Sequence, residues 1–358
     1  MSALSSLATV IEWREGADAA HLDKLDALRI NLVAGALASA LSRPAIRAGL
    51  SPHLNLLPQI SPNAADRIFQ APAVCQAVRL NDAGQLAATV KAEIVFDLCP
   101  DEHVESWTAL GDAWLGLYGP VASPVRLRMG ADGRLRGPSL AAGIPVDLAS
   151  PLLLQHPAAG LDAGCAVSAD VGDATICKLD EAATLIEAIS PPAWSAVRRF
   201  TANLVLRQDG RSPPAFRSAS SAAAIGRCVL VNAGSSETSP AEIAEGLVHE
   251  TVHALASCAE IEAPIFLPIE GEIRGDVRSP WTGALLHQHA FLHACIVWFA
   301  IQRFWEAALT AGILPGHAGR RVDQIRAGFK RLETSTCQAV APAALLFITD
   351  LKGRATGP

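Results

Sequence analysis

The stretch Ser239-Pro240-Ala241-Glu242 constrains this chain more than any other. Ser239 is a good helix N-cap. Pro240 suits the first helical position, where a missing N–H costs nothing, and Glu242 completes an S-x-x-E capping box. The residues that follow are largely apolar to about residue 259, so a helix is predicted over 240–259. Inside it lies His249-Glu250-Thr251-Val252-His253. On a helix, His249 and His253 share one face a turn apart, where two imidazoles converge on one ion. Glu250 is offset by one position, toward a metal-bound water or a supporting partner. The plainer alternative is two core histidines beside a surface glutamate, and those histidines would need hydrogen-bond partners of their own.

A divalent ion needs a third protein ligand and positions left open for water or substrate. Five of the ten histidines fall between 249 and 293. His289 and His293 repeat the i, i+4 spacing, and His287 lies two residues before them. The acidic candidates are Glu260, Glu262, Glu270 and Glu272, the last two in a loop bounded by Pro and Gly.

Composition sets the frame. A chain of 358 residues is one large domain or two ordinary ones. Half of it is hydrophobic and 18% is charged, which supplies a real core and argues against disorder. A net charge of −6 lacks the broad basic footprint of a nucleic-acid binder. The eight cysteines are scattered, with no CxxC pair. Without a signal peptide at the N-terminus, they read as reduced core residues of a cytoplasmic protein. The most apolar later segment, 290–301, is shorter than the roughly 20 residues a membrane span requires, so a buried helix is expected there.

The expected fold class is α+β: a mixed N-terminal half (1–190), offered as a peptide-binding surface, and a largely helical C-terminal half (191–358) that carries the metal, with both sharing one core as an alternative. No repeat is visible. A helix is predicted over 20–41, limited by Pro44. The β-branched residues and alternation within 87–96 predict a strand. A strand at 125–129 should turn at Gly130-Ala131-Asp132-Gly133 into a hairpin. Helices are expected over 179–189, ending at Ser190-Pro191-Pro192, and over 194–206. A buried or edge strand is expected at 228–232, a long helix over 281–311, and a further amphipathic helix around Arg320 to Arg331.

The run 242–253, Glu-Ile-Ala-Glu-Gly-Leu-Val-His-Glu-Thr-Val-His, resembles the HEXXH motif-containing peptide-modification family. A second block supports the resemblance: Ser279-Pro280-Trp281, then Leu292-His293-Ala294, ending in Arg303-Phe304-Trp305. It covers roughly 230–305. Two positions depart from the family's pattern: Ala294 stands where glycine is common, and Thr282-Gly283 follows the tryptophan where an arginine often does. The resemblance implies an iron- and 2-oxoglutarate-dependent β-hydroxylase acting on a ribosomally made precursor peptide. It implies His293 as third ligand beside His249 and His253, with His289 supporting the site or facing substrate. The distal carboxylate of oxoglutarate wants a bidentate arginine. Arg274, Arg278 and Arg303 lie in the right region, Arg278 being preferred, and Trp281 either lines the pocket or packs in the core.

Two other functions stay open on the residues alone. The same histidines would hold Zn(II) in a metallopeptidase with Glu250 as general base. Against this, the metzincin continuation is absent after His253, and the second long helix offers Glu306 only near its end. The other alternative is a degenerate peptide-binding protein. Neither a nucleic acid nor a membrane is expected as a partner.

Overall fold

The computed structural model describes residues 2–16, 19–118, 127–147, 166–167, 173–209, 214–267, 276–333, 337 and 340–357. Glu270, Glu272, Arg274 and the start of the strand expected at 125–129 lie outside these. The fold is α+β, dominated by helices, with several small sheets. Among the described residues no helix is long and apolar enough to cross a membrane. No described cysteine is in a disulfide.

The chain groups into two compact units. The first comprises Met1–Leu28, Leu185–Val197 and Thr251–Pro358; the second comprises Arg29–Thr184 and Arg198–Glu250.

In the second unit, α2 (Ala19–Leu41, most of it here), α3 (Pro44–Leu54), α4 (Pro62–Gln70), α5 (Pro72–Arg79) and α6 (Ala83–Leu98) come first. Their core includes Val33, Ile68, Val74, Val90 and Ile94. Helix α6 corrects the strand expected at 87–96. Its β-branched residues suggest a strand, but Asp82 caps it by accepting the Gln85 N–H at 2.9 Å. Leu86, Thr89, Val90, Glu93 and Ile94 are buried at helical spacing, and the packed face decides. Arg67 on α4 ties this layer to the next segment. Its guanidinium donates to both oxygens of Glu93 and both of Asp112.

Three short strands follow: β1 (Ala113–Trp114), β2 (Arg128–Met129) and β3 (Leu135–Arg136), in the order β1-β3-β2 and all antiparallel. The β2–β3 pair makes the expected hairpin, with Gly133 at φ +72 in its turn.

The larger sheet holds β4 (Val146–Asp147), β5 (Ala166–Val167), β6 (Asn203–Gln208), β7 (Arg217–Ala219) and β8 (Arg227–Val231). Strands β4, β6 and β8 are parallel, β7 is antiparallel to β8, and β5 is antiparallel to β6. Every residue of β8 is buried, as expected of an interior strand covered on both faces. Helix α7 (Asp173–Ile189) precedes α8 (Pro191–Phe200); Ser190 separates them, and the proline pair opens α8. The expected helix over 194–206 is therefore shortened. After Phe200 the chain pairs with β8, Leu204 opposite Cys228 and Leu206 opposite Leu230. Long-range pairing overrides the local helical pattern here.

Helix α9 (Pro240–Ala259) matches its expected bounds. The capping box is formed: the Ser239 N–H donates to Glu242 Oε2 at 2.9 Å and the Glu242 N–H to Ser239 Oγ at 3.3 Å. Residues to Glu250 are grouped with the second unit and those from Thr251 with the first.

The first unit is built around α10 (Gln288–Thr310), which is apolar nearly all round and buried from Phe291 to Trp305 at most positions. It packs against α11 (Pro315–Arg331) and α12 (Pro342–Thr356). Trp13, just beyond α1 (Ala3–Val10), donates its indole N–H to the Ala300 carbonyl at 2.9 Å. The helix expected from 281 starts later. Residues 276–287 form an antiparallel hairpin of β9 (Asp276–Arg278) and β10 (Leu285–His287), turned at Gly283, whose φ is +74. His287 then caps α10, its Nδ1 accepting the Ala290 N–H at 3.3 Å.

Candidate metal centre

Helix α9 is buried along most of its surface. Its less buried stripe runs through Glu242, Glu245, His249 and His253, and Glu260 continues that spacing just past the helix end. Each of the five is an acid or a histidine, so the helix's wet edge is also its chemical edge.

In the first unit, the end of α9 and the start of α10 bring a cluster together. Glu260 follows α9, its N–H still donating to the Ala256 carbonyl at 2.9 Å. His289 and His293 stand one turn apart on the first turns of α10. His289 Nε2 lies 2.9 Å from Glu260 Oε1, and His293 Nε2 lies 3.1 Å from Glu260 Oε2. On its other side, His293 Nδ1 lies 3.2 Å from His253 Nδ1, with the two rings stacked. His293 is buried, its side chain 5% exposed, while His289 is 40% exposed at the edge.

The proton inventory follows from the geometry. Two facing Nδ1 atoms share one hydrogen bond only if one carries a proton and the other does not. A carboxylate accepts, so His293 Nε2 carries a proton toward Glu260. Burial alone would push the Glu260 carboxyl up, but hydrogen bonds and charge from His289 and His293 win and hold it at about 2.

Glu260, His289 and His293 could hold a metal ion. Two ligand atoms about 2.1 Å from an octahedral ion lie about 3 Å apart when cis. The Nε2–Oε separations of 2.9 and 3.1 Å match that spacing, so an ion would take the place of the protons these atoms share. Two imidazoles and a carboxylate are also the donor set of non-haem Fe(II) oxygenases.

In the second unit, Glu250 is buried, its side chain 2% exposed. Ser218 on β7 donates its hydroxyl to Glu250 Oε1 at 2.6 Å. His249 Nε2 lies 3.9 Å from that same oxygen. Sequence reasoning did not find Ser218. Its one signal is that it sits on a strand antiparallel to β8, a pairing only the fold shows.

The remaining expected residues are placed as follows. Trp281 is half-buried and packs within its unit. It donates to the Ile325 carbonyl at 3.1 Å and contacts Phe329 and Trp298. A Cβ on Gly328 would fall 2.1 Å from Trp281 Cδ1. Gly328→Ala should therefore lower stability by about 1–3 kcal/mol, the usual cost of overpacking. Helix propensity alone would raise it by about 1 kcal/mol, so the sign seen in urea unfolding decides between them. Arg303 is ten residues past His293, about 15 Å along the helix, and is committed to Glu12 and Glu306. Arg278 is exposed on β9, donating one N–H to the Gly283 carbonyl at 2.6 Å. Its neighbour Asp276 pairs with His287, so Arg278 sits about 7 Å further along the same face of the hairpin.

No model of a known protein family matches the chain, and no curated protein does.

Proposed function

We propose that this chain is an iron- and 2-oxoglutarate-dependent oxygenase that hydroxylates a β-carbon in a ribosomally made precursor peptide. The observation that carries the proposal is the meeting of Glu260, His289 and His293, with His253 against His293. The resemblance of 242–253 and 279–305 to the peptide-modification family supplies the substrate class. Iron with oxoglutarate and dioxygen would supply the oxidation, one oxygen atom entering the peptide and the other leaving in succinate, with loss of carbon dioxide.

The chain's own residues do the rest. Glu260, His289 and His293 supply the donor atoms, and His253, stacked against His293, is a further candidate ligand. Arg278 is the better partner for the distal oxoglutarate carboxylate, because two acids already hold Arg303. The depth of Glu250 and its bond to Ser218 favour a supporting role over that of a general base in an open cleft.

The test is anaerobic titration of the Fe(II)-loaded protein with 2-oxoglutarate. A weak charge-transfer band near roughly 500 nm is expected for an iron–oxoglutarate chelate. Arg278→Ala should keep the iron and raise the oxoglutarate dissociation constant about tenfold or more, the loss of a charge-assisted pair. If no band forms, and zinc-loaded protein instead cleaves peptides in a reaction lost in Glu250→Gln, the chain is a peptidase.

A further inference from the structure

The carboxyl ends of β6 and β8 open onto a cavity of about 380 Å³, lined from the second unit alone. Small-molecule sites run to roughly 300–1,000 Å³, and open sheets hold ligands outside the carboxyl ends of their parallel strands. The register shows which face of the sheet the cavity lies on. Arg207 stands opposite Val231, and Val231 opposite Arg217; Leu206, Leu230 and Ser218 form the next row. Adjacent rows point to opposite faces. Ser218 meets α9 through Glu250, so the Arg207 row faces the other way. There Thr175, in the first turn of α7, lines the cavity together with Arg207 and residues 233–236.

The walls are held by hydrogen bonds. Asn232 has a left-handed φ of +61, and its Nδ2 donates to Asp209 Oδ1 at 2.8 Å and to the Ala215 carbonyl at 2.9 Å. Lys178 Nζ on α7 donates to the Ser235 carbonyl at 2.6 Å. The donors that line the space are left over from this network. Thr175 is 8% exposed, and its hydroxyl makes no hydrogen bond among the described residues. A Cβ on Gly234 would sit 2.9 Å from Thr175 Oγ1, so the glycine keeps that hydroxyl reachable. Ser235 Oγ accepts the Glu237 N–H at 3.2 Å and keeps its own proton to donate. Arg207 brings a positive charge, and no acid is among the described residues that line the cavity. Asp209, two residues beyond Arg207, is held by Asn232 and Arg217.

We propose that this cavity binds a small phosphate ester, its phosphate held by Arg207 and the hydroxyls of Thr175 and Ser235. A guanidinium with hydroxyl donors suits the several acceptor oxygens of a phosphate, and a lining without an acid adds no repulsion. The cavity is larger than a phosphate group, which leaves room for the organic part of the ester. The site makes no use of Glu260, His289 or His293, so it stands independently of the oxygenase reading.

The test is calorimetric titration of the full chain, with no metal added, using inorganic phosphate, glycerol phosphate and succinate in turn. Phosphate should bind saturably with a Kd below roughly 10 mM, and glycerol phosphate about threefold tighter or better. Arg207→Gln should weaken both about tenfold or more, the loss of a charge-assisted contact. Thr175→Val is nearly isosteric, and Gly234→Ala crowds the same hydroxyl; each should weaken both about threefold or more. No saturation by either phosphate compound, or affinities unchanged in all three variants, would overturn the proposal. Succinate binding as tightly as glycerol phosphate would overturn it too, by making the site one for any anion. Glycerol phosphate binding no tighter than inorganic phosphate would overturn the ester and leave free phosphate as the ligand.

Discussion

Arg67→Met is expected to destabilise the protein by about 3–5 kcal/mol, because it strands a buried carboxylate and a half-buried one at once. Arg67 donates to Glu93 at 2.8 and 3.3 Å and to Asp112 at 2.7 and 2.9 Å. Glu93 is fully buried and also accepts the Ala109 N–H at 2.6 Å. Burial pushes the Glu93 carboxyl up. At Asp112 burial works upward too, but the Arg67 hydrogen bonds and charge hold the pKa below the usual carboxylate range. The two acids therefore have opposite pH signatures. Asp112 adds stability that is present above its unfolded pKa and lost as pH falls through the lowered folded one. Glu93 adds stability that is present below its unfolded pKa and lost as pH rises through the raised one. A pH scan would blur them, so substitution is the cleaner probe. Chemical denaturation measures the loss, and a cost below about 1 kcal/mol would show that the network is not a buried ion cluster. Removing all three partners together, with apolar residues of similar volume, should cost far less than Arg67→Met alone.

His293→Ala should have the largest effect on metal binding. Both nitrogens of His293 face other members of the cluster, Glu260 on one side and His253 on the other. Losing an outer-sphere partner of a metal typically costs 10–100-fold in affinity, roughly. Losing a residue at the centre of the donor set should exceed about 100-fold, read by competition with a chelator of known affinity. His289→Ala should cost less, since that ring is partly exposed at the edge. Equal losses for the two would count against the central place of His293.

The capped helix and its two histidines are legible in the sequence because capping box, apolar run and motif all act locally. His293 was also within reach, through spacing and resemblance. Glu260 was one acid among four in the sequence. Its distinguishing mark is that it lies seven residues, two helical turns, beyond His253. A pattern continuing past the end of a helix is easily read as a loop. The hairpin at 276–287 was hidden by Ser-Pro-Trp, which reads equally well as a helix start. Strand 203–208 and helix 83–98 depart from the local pattern for opposite reasons: the first is set by pairing with β8, the second by a buried face that β-branched residues disguise.

The most direct test of the metal centre is X-ray absorption at the iron edge of protein loaded anaerobically with one Fe(II) per chain. The cluster calls for imidazole scattering together with a short oxygen shell from a carboxylate, reduced in Glu260→Ala, and no sulfur shell. A spectrum unchanged in both Glu260→Ala and His293→Ala, or iron held by sulfur, would contradict it.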